Sequence, residues 1–297
     1  MGAEPRLTTD FIGLTQPTPF SRRGFMTASA AVAAGYTLAA GPVRADAIKT
    51  DTEGMDAGDI KIKVADGEMP AYFARPKDAS NPPVILISYE VFGLHEYIKD
   101  VTRRLAKLGA FAVAPDYYFR KGDLGKFTDR TQLMAAVGGT PDVEVFSDLD
   151  TTVAWAKAQG GDASRLGIVG FCRGGRMVWE YAAHSAQLKA AVAFYGPLVD
   201  STNPPNPNLP KSPTQLAPEM KAPVLGLYGE ADTGIPVAAV EAMKAALAEN
   251  KKTAEFKIYP GAQHGFHADY RPSYNKEAAE DGWKEMQAWF KKYNVLG

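Results

Sequence analysis

The chain reads as an α/β protein, a mostly parallel sheet of about eight strands with helices on both faces. Three observations predict this. Unbroken apolar runs recur along the sequence, as expected of strands buried on both sides. Stretches with helical spacing lie between them. One apolar run ends in a glycine-rich turn that leads straight into the next helical stretch. The 297 residues are 45% hydrophobic and 23% charged with a net charge of -1. That balance offers no basic stripe for nucleic acid, and points to small-molecule chemistry or protein contacts.

Residues 1–47 stand apart from the rest. Pro17 and Pro19 precede Arg22-Arg23, a small-residue apolar run follows at 28–40, and then come Gly41-Pro42 and the A-x-A pattern Ala45-Asp46-Ala47. This is the layout of a twin-arginine type signal peptide, cleaved after Ala47 or after Ala45. It predicts a bacterial periplasmic or secreted protein with the twin-arginine export machinery as a partner. The apolar run is short of the ~20 residues that span a bilayer, so no stable membrane anchor is expected. Residues 48–297 are then a single domain, read as a monomer.

Within that domain, residues 59–64 alternate apolar and polar, and 71–74 follow a turn at Gly67, which predicts an antiparallel pair at a sheet edge. Continuous apolar runs at 84–87, 111–114, 166–169, 190–194 and 224–228, with a mixed one at 256–259, supply the remaining strands. Helical spacing links Val101, Leu105 and Leu108, and again Val145, Leu149, Val153 and Ala156. Two more helices are expected at 237–247 and 274–290, the last with Trp283, Met286 and Phe290 on one side. The Pro-rich segment 204–218 reads as a long surface loop, placed to serve as a lid.

The chemistry centres on Cys172, the single cysteine. It sits in Gly170-Phe171-Cys172-Arg173-Gly174-Gly175, the thiol version of the G-x-S-x-G elbow, where a sharp strand-to-helix turn exposes a nucleophile. At Gly170 and Gly174 a β-carbon would collide with the neighbouring strand or helix. A lone cysteine is otherwise most often a small buried hydrophobe, and one cysteine forms no internal disulfide.

A nucleophile needs a base and an acid to orient it. Asp232, with Glu230 as its competitor, follows the run ending at Tyr228, and His264 follows the last mixed strand. This is the nucleophile, acid, histidine order of the α/β-hydrolases, with each residue just past the C-terminal end of a strand. His184, late in the helix after the elbow, suits a structural role at a helix terminus. A metal site at His264, His267 and Asp269 lacks a third imidazole or an H-E-x-x-H frame, so no metal is expected. The backbone N–H groups of Arg173 and Val91 are the candidate oxyanion donors.

These residues resemble the dienelactone hydrolase family, a branch of the α/β-hydrolases with a cysteine nucleophile. The likeness rests on Glu90-Val91-Phe92-Gly93, Pro115-Asp116-Tyr117-Tyr118, Gly170 to Gly175, Phe194-Tyr195-Gly196, the turn from Gly229 to Asp232, and His264-Gly265-Phe266. It implies an α/β-hydrolase fold, a triad of Cys172, Asp232 and His264, and no cofactor. It also implies that Glu90 lies beside the thiol and takes its proton, for which burial must raise the carboxylate's own pKa. Arg120 matches the arginine that receives a substrate carboxylate, and Tyr195 falls among the substrate-binding residues.

Two positions depart from the family's pattern. Gly265 and Ala268 stand where the family has a serine and a second substrate-binding arginine, which leaves Arg271 as the cation that could replace it. The expected activity is cleavage of an ester or lactone of a small, carboxylate-bearing substrate. A thioesterase, a general carboxylesterase, or a non-catalytic scaffold that binds a small ligand or a partner are the alternatives.

Overall fold

The structure is a computed structural model that describes residues 47–200 and 206–297. The expected signal peptide lies outside the described residues except for Ala47, as does the start of the Pro-rich loop.

Among the described residues, eight strands form one sheet. β1 (Met55–Val64) and β2 (Gly67–Pro76) make the expected antiparallel pair, β1 starting earlier and β2 extending further at both ends than the sequence pattern suggested. They are followed by β3 (Pro83–Ser88), β4 (Phe111–Pro115), β5 (Asp162–Phe171), β6 (Leu188–Phe194), β7 (Val224–Gly229) and β8 (Ala254–Tyr259). The strand order is β1-β2-β4-β3-β5-β6-β7-β8. β2 meets β4 antiparallel, and every pairing from β4 to β8 is parallel. All residues of β3, β4 and β7 are buried. Because side chains alternate between the two faces of a strand, burial of every residue means that both faces are covered.

The covering helices are α1 (Glu96–Lys107), α2 (Arg130–Gly138), α3 (Asp142–Ala158), α4 (Arg173–His184), α5 (Val237–Glu249) and α6 (Lys276–Lys292). α1 packs on β2 and β4, α3 on β3, β4 and β5, α4 on β5 and β6, and α6 on β6 and β7. The periodicity of the sequence did not reveal α2. It is nine residues long and buries only Leu133 and Val137, with Asp129 capping its start by accepting from the Gln132 N–H. Among the described residues no helix is long and apolar enough to cross a membrane.

The described part of the Pro-rich segment is fastened. Asn206 and Asn208 donate to the Gly138 carbonyl at 2.8 and 3.1 Å, Thr214 donates to the Leu198 carbonyl at 2.8 Å, and the Lys211 carbonyl accepts from Arg176 at 3.1 Å. These bonds hold residues 206–214 against α2 and α4.

The topology gathers the chemistry on one edge. Glu90 lies just beyond β3, Cys172 beyond β5, Tyr195 beyond β6, Asp232 beyond β7 and His264 beyond β8. These five strands run parallel, so all five residues emerge at the same edge of the sheet.

Candidate active site

Cys172 occupies the junction between β5 and α4 with φ 55° and ψ -121°, a left-handed backbone on a non-glycine residue. Such a conformation costs on the order of 1–3 kcal/mol and persists only where its surroundings enforce it. Here the Cys172 N–H donates to the Phe194 carbonyl of β6 at 3.1 Å. A β-carbon at Gly174 would lie 2.3 Å from the Ser88 carbonyl carbon, and one at Gly170 would lie 2.2 Å from the Gly174 oxygen. Both glycines therefore have the steric job expected of them. Arg173 is the first residue of α4, so its N–H has no partner within the helix and faces outward at the positive end of the helix dipole.

Three side chains stand in a row. Cys172 Sγ lies 3.2 Å from His264 Nε2, and His264 Nδ1 lies 2.8 Å from Asp232 Oδ2. Asp232 in turn accepts from the N–H groups of Gly234 and Ile235 at 2.9 and 3.1 Å, which fixes the carboxylate. Its competitor Glu230 is exposed and accepts from the Gly261 N–H, away from the imidazole. Burial by itself would strip the proton from His264. The negative charge at Cys172 and the hydrogen bonds with Asp232 and Cys172 outweigh burial and lift His264 to about 10. The row can therefore carry a proton from sulfur to imidazole.

Glu90 differs from its expected role. It is fully buried, yet it is held below the usual carboxylate range rather than above it. Burial would raise it, but a hydrogen bond with His95, the Arg271 charge and the Tyr270 hydroxyl bring it down to about 2. Arg271 Nη1 stands 3.3 Å from Glu90 Oε1, and Tyr270 donates to the other oxygen. Glu90 is thus an ionised partner of Arg271, with no hydrogen bond to Cys172. The desolvation argument failed because it left out the nearby His95 and a buried guanidinium from a distant loop.

Arg271 explains one departure from the family's pattern. Gly265 has φ +76°, and a β-carbon there would lie 2.5 Å from Arg271 Nη1. Removing the side chain at 265 makes the space that the guanidinium fills. Arg271 joins this group through its ion pair with Glu90, just beyond β3.

Tyr195 is fully buried with φ 38°, and its ring meets His264 edge-on at 5.2 Å between centroids. Its hydroxyl is buried without a hydrogen-bond partner, in the field of Glu90, Arg271 and Cys172. Val91 is buried in the loop beyond β3. That loop is braced from the P-D-Y-Y segment: Tyr89 donates to Asp116 at 2.7 Å, and Tyr117 Oη accepts from the Tyr89 N–H at 3.2 Å.

Arg120 is not brought to this group. Its guanidinium binds Asp66 in the β1–β2 turn and Asp148 on α3, each through two bonds of 2.7 to 3.1 Å. The expected carboxylate ligand is replaced by two carboxylates of the protein itself. His184 stacks on Phe146 and bonds Asp150 at 2.8 Å, consistent with a structural role. His267 turns to the Tyr97 hydroxyl at 2.6 Å, and Asp269 turns to Arg104. Neither converges with His264, and among the described residues no group of three His, Cys, Asp or Glu is arranged for a metal.

The sequence did not single out Tyr270 and His95, which surround Glu90, or the ion network on α4. There Glu180, 1% exposed, accepts from Arg173 at 3.0 Å and from Arg176 at 2.6 Å, while Arg173 also reaches Asp142 at 2.9 Å. The i, i+4 spacing of Arg176 and Glu180 was the available signal.

The geometry has relatives. The family model described as the dienelactone hydrolase family matches residues 69–294. The chain belongs to that family. A relative from Methylorubrum extorquens named “Putative carboxymethylenebutenolidase” is 50% identical over 96% of this chain and 98% of its own length. An Escherichia coli protein of the same name is 48% identical over 87% of this chain and 95% of its own. The crystal structure of a “Putative Dienelactone Hydrolase” from Klebsiella pneumoniae is 49% identical and superimposes with a TM-score of 0.77, covering 80% of this chain and 99% of that one. This dienelactone-hydrolase-like hydrolase therefore has the α/β-hydrolase fold that its residues implied.

Proposed function

We propose that this hydrolase cleaves an ester or lactone of a small, carboxylate-bearing substrate through an acyl-cysteine intermediate on Cys172. The observation that carries the reading is the row from Cys172 through His264 to Asp232, set on a strained elbow. His264 takes the thiol proton and holds it, and the sulfur attacks the substrate carbonyl carbon. The N–H groups of Arg173 and Val91 receive the oxyanion. His264 then returns its proton to the leaving alkoxide as the tetrahedral species collapses, leaving the thioester. A water, deprotonated by His264, attacks that thioester and releases the acid and Cys172. Asp232 keeps the imidazole oriented throughout.

Arg271 is the cation for a substrate carboxylate, in place of Arg120. A carboxylate arriving there competes with Glu90, and Glu90 set free from the pair becomes an acceptor beside the thiol. The Tyr195 hydroxyl, which lacks a protein partner, donates to substrate. No metal or organic cofactor enters these steps.

A panel of lactones, aryl esters and thioesters, assayed with wild type and Cys172→Ala, tests the reading. Loss of ester and lactone turnover in the variant, with preference for substrates bearing a carboxylate, is the expected result. Turnover that survives Cys172→Ala overturns it. Preference for thioesters or neutral esters would keep the mechanism and replace the substrate class. A folded wild type inert to the whole panel would favour a ligand-binding scaffold.

A further inference from the structure

Glu90 divides its two carboxylate oxygens between different parts of the molecule. Oε1 faces Arg271 at 3.3 Å, while Oε2 accepts from the Tyr270 hydroxyl and faces His95 Nε2 at 3.7 Å. Arg271 and Tyr270 are neighbours on the loop that carries His264, whereas His95 is the residue just before α1. Its backbone is fixed there, since its N–H donates to the Gly93 carbonyl at 3.0 Å and its carbonyl accepts from the Lys99 N–H at 3.1 Å. A side chain at this position commonly caps the helix, but His95 makes no side-chain cap bond. The side chain is turned inward instead, 7% exposed, with its ring edge-on to Tyr270 at 5.2 Å and stacked on Tyr97 at 6.0 Å between centroids.

A substrate carboxylate that takes Arg271 leaves Glu90 buried with fewer partners, and a buried carboxylate stripped of its opposing charge is costly. The exchange is feasible only if another contact of Glu90 strengthens as Arg271 leaves. A contact equally strong before and after contributes nothing, because only a difference between the two states shifts the balance. The Tyr270 bond is already short and has little to gain. The His95 contact is long for a hydrogen bond, so it has room to close to about 2.8 Å, a charge-assisted length. It is felt even at its present length: burial raises Glu90, and His95, ahead of Arg271, brings it down to about 2.

We infer that His95 is a positioning residue that makes this hydrolase selective for carboxylate-bearing substrates: it retains Oε2 of Glu90 when a substrate carboxylate takes Arg271 from Oε1. The imidazole Nε2 donates more strongly as the guanidinium turns to substrate, and Glu90 stays ionised with Oε1 open. No covalent bond changes in this exchange. The inference rests on the reading of Arg271 as the cation for the substrate carboxylate.

Para-nitrophenyl hemisuccinate, which carries a carboxylate, and para-nitrophenyl butyrate, which does not, are compared as substrates of wild type, His95→Phe and His95→Gln. Phenylalanine keeps a ring beside Tyr97 and Tyr270 without a donor, and glutamine keeps a donor without the ring. In His95→Phe the KM for the hemisuccinate should rise about tenfold, the loss of one charge-assisted contact made in the bound state, with kcat within about twofold. Both constants for the butyrate should stay within about twofold of wild type, and His95→Gln should recover most of the selectivity. In an Arg271→Met background, His95→Phe should change the selectivity no further. If His95→Phe fails to fold, His95→Asn, whose amide falls short of the Nε2 position, should show the same loss. Equal loss on both esters, selectivity that His95→Gln does not recover, or selectivity unchanged in His95→Phe and His95→Asn overturns the role of His95 and leaves that of Arg271 standing. A wild type that turns over neither ester, or has no preference for the hemisuccinate, overturns the reading of Arg271 and this inference with it.

Discussion

Glu180 and Glu90 are both buried carboxylates paired with arginine near Cys172, and they are built to different ends. Glu180 receives Arg173 and Arg176 at 3.0 and 2.6 Å, and Arg173 and Arg176 are each engaged by a second carboxylate, Asp142 and Asp200. Three carboxylates and two guanidinium groups close on one another, and Glu180, Arg173 and Arg176 all lie within α4. Glu90 meets its one guanidinium at 3.3 Å, and that guanidinium comes from a loop. A charge pair that is saturated and held within a helix fixes the elbow. A single, longer pair between two loops is one that a substrate carboxylate can enter. The lesson is that burial and opposite charge alone do not distinguish scaffold from site; the number of opposing charges, and whether they share a helix or come from separate loops, do.

Breaking the saturated pair should have the largest effect on folding. Glu180→Ala leaves two buried guanidinium groups short of a carboxylate, and about 3–5 kcal/mol of stability should be lost in urea unfolding. Activity of whatever remains folded should keep the wild-type substrate preference.

Arg271→Met should reverse that pattern. Turnover of carboxylate-bearing esters should fall about tenfold or more relative to neutral esters, the loss of one charge-assisted contact. The same variant shifts the acid limb. Glu90 in the wild type is lowered to about 2, so its contribution to stability is present above the ordinary carboxylate value of 4.5 and is lost as pH falls from there toward 2. Without Arg271 the largest opposing charge is gone, and acid unfolding should begin at higher pH. Unchanged selectivity together with an unchanged acid limb would remove Arg271 from the site.

Arg120→Ala should do least to catalysis. Its loss leaves the buried Asp148 without its partner, so the melting temperature should fall while kcat/KM on carboxylate-bearing esters stays within about twofold of wild type, a difference under about 0.5 kcal/mol. A tenfold drop in kcat/KM would restore it as a substrate ligand.

These cases also mark where the sequence was readable. The strands of the parallel sheet were legible because both faces are apolar, and the elbow was legible because its glycines answer to backbone collisions that any residue would suffer. Cys172, Asp232 and His264 could be placed in one row because strand ends in a parallel sheet share an edge. Arg120 was misread because a residue type does not reveal which carboxylate it meets, and Asp66 lies 54 residues away. The state of Glu90 was only partly readable: the largest influence holding it ionised, the hydrogen bond with His95, comes from five residues along the chain, while Arg271 comes from 181 residues away. Gly265 looked like a defect until Arg271 was seen to fill its space.

The most direct test of the account is to trap the intermediate. Wild-type protein is mixed with an activated aryl ester, quenched in acid within the first turnovers, digested and mapped by mass spectrometry. The account predicts one acyl group on the peptide that contains Cys172, accumulating with the burst of phenol release. In His264→Ala both the acyl group and the burst should disappear. Phenol release that proceeds at the wild-type rate with no acyl group on Cys172, or with the acyl group on another residue, would contradict it.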